Sequence, residues 1–177
     1  MDSLVLLKVL LAVCLIKQTF SVFEFTNIVC NSLDEQFASI DYCFLKSVNR
    51  TYKYASLKVK LHKVPVEKIK VNFAIYKRLN GYKPFLYNVT FDACKFLKNR
   101  KINPVGSFLV DLFESYSNMN HDCPYNNDVY VEKVPASHLN DKMTFSLPFP
   151  AGSYGFYSVW YAYDVARAQV NVYGTLS

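Results

Sequence analysis

The residues able to do chemistry are few and scattered. His62, His121 and His138 are the only histidines in 177 residues, and no H-x-x-x-H or C-x-x-C spacing offers a metal its ligands. His121-Asp122-Cys123 comes nearest, yet a disulfide-bonded cysteine is no ligand, so His121 reads as a hydrogen-bonding loop residue. A hydrolase needs a nucleophile, a base and a group that orients the base. Gly152-Ser153-Tyr154-Gly155 lacks the residue that a G-x-S-x-G elbow places between its first glycine and the serine, and reads as a strand-entry turn. Asp92 and Asp128 read as turn or cap residues rather than a carboxylate pair. The expectation is a protein with no catalytic residue, no metal and no cofactor.

Cysteine is the exception. From Leu4 to Ile16 the chain is apolar except for Lys8, and Lys17, Gln18 and the small-residue pattern Thr19-Phe20-Ser21 follow. This is the form of a secretory signal peptide, residues 1–21, and it is shorter than the roughly 20 apolar residues that span a bilayer. Its removal takes Cys14 away and leaves Cys30, Cys43, Cys94 and Cys123, an even set for an oxidising compartment. Four cysteines allow three pairings, of which Cys30 with Cys43, clipping a first hairpin, and Cys94 with Cys123, closing a helix-bearing loop, are favoured. Asn49-Arg50-Thr51 and Asn88-Val89-Thr90 are glycosylation sequons. The chain reads as secreted and extracellular, with no transmembrane segment after the leader.

Composition sets the scaffold. The chain is 51% hydrophobic and 19% charged, with 5 glycines, which excludes disorder and collagen-like repeats. Its 14 Tyr and 14 Phe favour strands. Residues 22–177 contain no linker or repeat and read as one domain. Leu57, Val59 and Leu61 alternate with Lys58, Lys60 and His62, and Ile69, Val71, Phe73 and Ile75 with Lys70 and Asn72, as in half-buried strands. Asn80-Gly81 predicts a tight hairpin, and a glycan on Asn88 would turn Phe85, Tyr87, Val89 and Phe91 inward. One helix is expected, capped by Asn103 with Pro104 at its first position and carrying Phe108, Leu112 and Tyr116 to an end near Asn118. Val129–Val131 is a strand, a Pro-punctuated stretch through Pro148 and Pro150 follows, and Gly155–Tyr163 with Ala168–Tyr173 make a last hairpin. The fold class is mainly β, an antiparallel β-sandwich with one inserted amphipathic helix.

Charge offers one further surface. The net charge of +6 becomes +5 without the leader, and Lys58, Lys60, Lys68 and Lys70 read as a basic strand face, open to acidic partners or serving to solvate a sheet. Nucleic acid is disfavoured as a partner by the secretory leader.

Longer strings carry a family likeness. FTNIVC at Phe25–Cys30, NGYKPFLYN at Asn80–Asn88, FDACKFL around Asp92 and Cys94, SNMNHDCPY at Ser117–Tyr125 and the closing Pro150–Tyr154 resemble a large insect family of secreted proteins of unknown function. That family is in turn similar to the ML lipid-recognition superfamily, which includes ganglioside-activator and insect chemosensory B proteins. The resemblance implies an immunoglobulin-like sandwich whose sheets part around a lipid. Those proteins usually tie the first strand to the last part of the chain by a disulfide, and here no cysteine follows Cys123. Candidate pocket residues are Val71, Phe73, Ile75, Phe85, Tyr87, Phe108, Leu112, Val159 and Tyr161. The leading expectation is a secreted, non-enzymatic binder of a lipid or other hydrophobic small molecule, a lipid carrier or chemosensory protein. The alternative is an extracellular protein-interaction module that engages a receptor through the basic face and has a filled core.

Overall fold

Period-two alternation of apolar side chains builds the strands of this protein, here described from a computed structural model over residues 22–50, 52–146 and 149–177. The expected leader lies outside the described residues, as do Thr51 and Pro148. Strands β1 (Phe23–Ser32), β2 (Ala38–Ser47), β3 (Lys53–Leu61), β4 (Ile69–Leu79) and β5 (Gly81–Asp92) precede helices α1 (Ala93–Lys98) and α2 (Pro104–Asp111). Strand β6 (Val129–Pro135), helix α3 (Ala136–Ser146) and strands β7 (Gly152–Ala162) and β8 (Val165–Leu176) complete the order. All strand pairs are antiparallel. One sheet has the order β1-β8-β7-β4-β5 and the other β2-β3-β6, so the architecture is an antiparallel β-sandwich.

The two sheets differ in width, and the helices make up the difference. Three strands cannot cover five. The segment holding α1 and α2 contacts β4 and β5, while a short 3-10 turn at Glu114–Tyr116 contacts β6. Two buried clusters lie between the sheets. One joins Phe23, Ile75, Val131, Tyr154 and Leu176, and the other Phe37, Val66, Tyr125 and Ala162. Close approach requires glycine at one point: a Cβ on Gly174 would lie 2.1 Å from the Phe23 ring and 2.9 Å from the Glu24 carbonyl, so β1 and β8 pack there only without a side chain.

Local chemistry explains the caps. Asn103 accepts from the Gly106 backbone N–H at 2.9 Å and Pro104 opens α2, as expected. Asp92 caps α1 by accepting from Lys95 N at 2.9 Å, and Asp128 accepts from Leu61 N at 3.2 Å.

Several expectations are corrected. Helix α2 stops at Asp111 rather than near Asn118, because the chain turns to bridge Ser117 to Val131 of β6 and the remaining apolar residues follow that path. Three helices occur among the described residues instead of one. Helix α3 lies within the Pro-punctuated stretch, where Leu139 and Met143 give one buried stripe at helical spacing and Asn140 Oδ1 accepts from Phe23 N. At Asn80-Gly81 only Gly81 takes positive φ, 87°, so the turn is not type I′. The turn between β7 and β8 is the one with two positive angles, at Tyr163 (52°) and Asp164 (64°). Cys30 and Cys43 are bonded, but β1 and β2 belong to different sheets. That disulfide therefore staples sheet to sheet and clips no hairpin. Cys94 and Cys123 form the second bridge and close the loop that carries α2.

Candidate functional site

Between the two sheets lies a cavity of about 270 Å³. Well-packed interiors hold few voids larger than a water molecule, so this one is a feature of the fold. Its walls come from both sheets: Leu57, Val59 and Leu61 of β3 and Val129 and Val131 of β6 on one side, Val71 and Phe73 of β4, Trp160 of β7 and Val170 of β8 on the other. Phe96 of α1 and Leu109 of α2 close the side that the narrower sheet leaves uncovered. The single tryptophan lies in this wall, its ring edge-on to Phe73 at 5.8 Å.

Polar groups at the wall are satisfied from within. Trp160 Nε1 donates to Ser158 Oγ at 3.0 Å, and Ser158 Oγ donates to Val170 O at 2.9 Å. Ser56 Oγ accepts from Lys133 N at 2.9 Å. Arg100 holds Glu114 through both carboxylate oxygens, which keeps the Glu114 carboxyl below its usual range. Arg167 donates to Asp34 and lies over the Phe37 ring at 4.2 Å. Among the described residues no buried side-chain polar atom lacks a partner. The surface of the cavity is accordingly apolar almost throughout.

Of the nine candidate pocket residues, Val71, Phe73, Leu112 and Tyr161 line the cavity. The other five do not. Ile75 is 1% exposed in a solid end of the sandwich, where Phe85 meets Phe149 at 6.1 Å and Tyr154 at 5.6 Å. Tyr87 and Phe108 pack against that same cluster. The positive φ at Leu86 falls where β5 shifts register against β4, and α2 presents Leu109 and Val110 to the cavity instead of Phe108. Val159 faces outward because its neighbours Ser158 and Trp160 point in, and a bulge after Trp160 brings Tyr161 back to the wall. Missing from the candidates were Phe23 and Phe25, Trp160, and the apolar members of β3. The strict alternation of Leu57, Val59 and Leu61 was the available signal.

The expected basic face is split between sheets. Lys58 and Lys60 share the outer side of β3, where Lys58 lies 3.4 Å from Asp41 and 3.2 Å from Asp128, and Lys60 lies 2.8 Å from Asp41. Asp128 and Asp41 raise the Lys58 ammonium, and Lys60 lowers the Asp41 carboxyl. Lys70 belongs to β4 in the other sheet and pairs with Asp164, while Lys68 is exposed just before that strand. The chain changes sheets between β3 and β4, so the four lysines form no common surface. Asn49 and Asn88 are both exposed, and Asn88 Oδ1 accepts from Asn72 Nδ2 at 2.8 Å. His121 contacts Asp122 O at 2.7 Å, His62 contacts Ser39 Oγ at 2.7 Å, and His138 lies edge-on to Tyr116 at 5.0 Å. Among the described residues no three His, Cys, Asp or Glu side chains gather as a metal set.

One titration follows from this end of the cavity. Tyr125 is 5% exposed and its hydroxyl donates to Met119 O at 3.1 Å and His121 O at 3.2 Å. Burial pushes its pKa from 10.0 up to about 12, the Asp122 charge adding to the effect. The fold holds the neutral phenol, so this contribution is complete below pH 10.0 and is lost as pH rises toward 12. Unfolding free energy should fall across that window, and Tyr125→Phe should flatten the slope. Tyr42, raised to about 12 by burial and by its bond to Glu132, and Tyr157, raised by burial and by its bond to Tyr173, keep the remainder. Urea titrations at three alkaline pH values check this, and a slope indifferent to Tyr125→Phe would contradict it.

Comparison with known proteins gives three results. A sequence profile for a family described as "Protein of unknown function (DUF1091)" matches residues 71–156, a range that contains four of the five strings quoted above. No curated protein matches the chain. Among solved structures the chain is similar to a Niemann-Pick type C2 protein from Japanese carpenter ant, at 15% identity over 86% of this chain and 90% of that one, with a TM-score of 0.34. No helix among the described residues is long and apolar enough to cross a membrane.

Proposed function

We propose that this protein is a secreted, non-enzymatic carrier of a lipid or other hydrophobic small molecule, held between its two sheets. The observation that carries this reading is the cavity of about 270 Å³, walled by apolar side chains from both sheets and the helical segment. It exceeds the roughly 150 Å³ of an apolar cavity known to stay dry and bind benzene. Affinity would come from apolar burial, about 25 cal/mol per Å² removed from water. Two disulfides support an oxidising, extracellular setting.

The receptor-binding alternative has less support, since it calls for a filled core and a single basic face. The test is native mass spectrometry of protein from a eukaryotic secretory host, followed by solvent extraction and loading with a panel of hydrocarbons, fatty acids, esters and sterols. The expected result is a co-purifying apolar molecule or saturable uptake that shifts Trp160 emission. Protein that is empty and takes up no member of the panel would overturn the proposal.

A further inference from the structure

Only two charged residues line the cavity among those described, Glu114 and Arg167, and they differ in what they have left to give. Glu114 is occupied at both oxygens by Arg100, which also lies 3.7 Å from Asp111. Arg167 is held on three sides. Its Nη1 donates to Asp34 Oδ2, its Nε donates to Ala162 O at 3.4 Å, and its plane covers the Phe37 ring. Asp34 is itself fixed, its Oδ1 accepting from Gln36 N at 3.1 Å and Phe37 N at 3.2 Å. Among the described residues nothing accepts from Nη2 of Arg167. A guanidinium in the wall, oriented by its neighbours and with Nη2 lacking an acceptor among the described residues, has the chemistry to receive an oxygen acceptor.

We propose that the cavity selects chain-like ligands with a neutral oxygen acceptor at one end, such as an ester, ketone or alcohol, and that Arg167 binds that oxygen in preference to a carboxylate. The inference rests on the hydrophobic-ligand reading and names the ligand class for the same site. Its sign follows from charge. Asp34 already balances Arg167, so an incoming carboxylate would share the site with a like charge, and two carboxylates in one site disfavour each other's ionised forms. A neutral oxygen gains the hydrogen bond without that repulsion. Arg167 stands near the start of β8, whereas Val172, also in the wall, lies toward its end. The head would therefore sit by the β7–β8 turn and the tail would run along β8.

The experiment titrates Trp160 emission with an alkane, a methyl ester and an ionised fatty acid of equal chain length at pH 8. Three proteins are compared: the natural chain, Arg167→Met and Asp34→Asn. The natural chain should bind the ester about tenfold tighter than the alkane or the acid, the advantage of one hydrogen bond to a charged donor. Arg167→Met should remove the ester's advantage over the alkane. Asp34→Asn keeps an oxygen for the turn bonds and removes the negative charge, so it should raise affinity for the acid about tenfold. A carboxylate preference in the natural chain, or an unchanged ligand order in Arg167→Met, would overturn the inference. Should Arg167→Met fail to fold, Asp34→Asn decides alone, and no gain for the acid counts against it. Failure of all three ligands on the natural chain would instead overturn the cavity reading itself.

Discussion

Val170→Phe is expected to weaken uptake of a long-chain ligand roughly thirtyfold while leaving the empty protein as stable as before or more so. Val170 stands in the cavity wall on β8, a strand flanked on both sides, with Cys30 and Ser158 as its register partners. A phenyl ring there fills space that would otherwise take two to three methylene groups of ligand. At about 0.8 kcal/mol for each buried methylene, the loss is about 2 kcal/mol of binding. Phenylalanine keeps the strand preference, and the backbone carbonyl that accepts from Ser158 Oγ is untouched. Stability supplies the second readout. In a filled core the added atoms would force neighbours from their rotamers and cost about 1–3 kcal/mol, whereas in a void they add contacts. Emission titrations with Trp160 as reporter, beside urea unfolding of the empty protein, separate the cases. Unaltered affinity together with a loss of stability would mean that the sheets meet around no usable space.

The second large effect is expected from opening the Cys94–Cys123 bridge, whose partners are separated by 29 positions. In the loop-entropy account, a closed loop of that length restricts the unfolded chain by about 3–4 kcal/mol at 25 °C. Paired Cys94→Ser and Cys123→Ser substitutions should lower unfolding free energy by that amount. They should also release ligand, which the Cys30–Cys43 bridge would not do in the same way. The reason is position. The 94–123 loop carries α2 and Leu109, and it covers β4 and β5 where the three-stranded sheet does not reach. Untied, that cover opens locally before the sheets separate. Hydrogen exchange should therefore show the segment around α2 losing protection in the double variant under conditions where β7 and β8 stay protected. Uniform loss over all strands would mean that the bridge holds the whole sandwich and not its cover.

How far the site could be read from residues depends on which interaction places each one. Val71 and Phe73 were legible because two-residue alternation along β4 states which side is buried, and β4 lies in mid-sheet. Val159 was misplaced by the same rule, since alternation says that two sides exist but not which of them is inward when both carry bulky residues. The run Phe156–Tyr161 is aromatic or aliphatic at all positions but Ser158. Ile75 and Phe85 do face inward, yet they pack into solid core. Whether an inward side chain borders a void depends on what packs over it, here Tyr154 of β7 in the same sheet and Phe149 just before that strand. The aromatic surplus divides likewise. Phe73, Phe91 and Trp160 wall the cavity, while Tyr76 stacks on Tyr157 at 4.5 Å, in contact with Tyr82 and Tyr173, away from it.

By itself the sequence determined the strand-rich class, the facing of β3 and β4, the cap that starts α2, and the even set of cysteines after residue 21. Each follows from neighbours along the chain: alternation, an Asn-Pro pair, a count. The tertiary structure alone decided that β3 and β4 lie in different sheets, which splits the four lysines and turns the Cys30–Cys43 bridge into a staple between layers. It also decided that three strands face five, which is why a helical segment must serve as wall and why a cavity exists at all. These are properties of how two surfaces of unequal width meet, and no local pattern encodes the width of the opposite surface. Arg167 shows the same division. Its sequence neighbours mark it only as a charge in a strand, and it becomes a candidate head-group donor because Asp34 and Phe37, distant in the chain, hold it against the cavity.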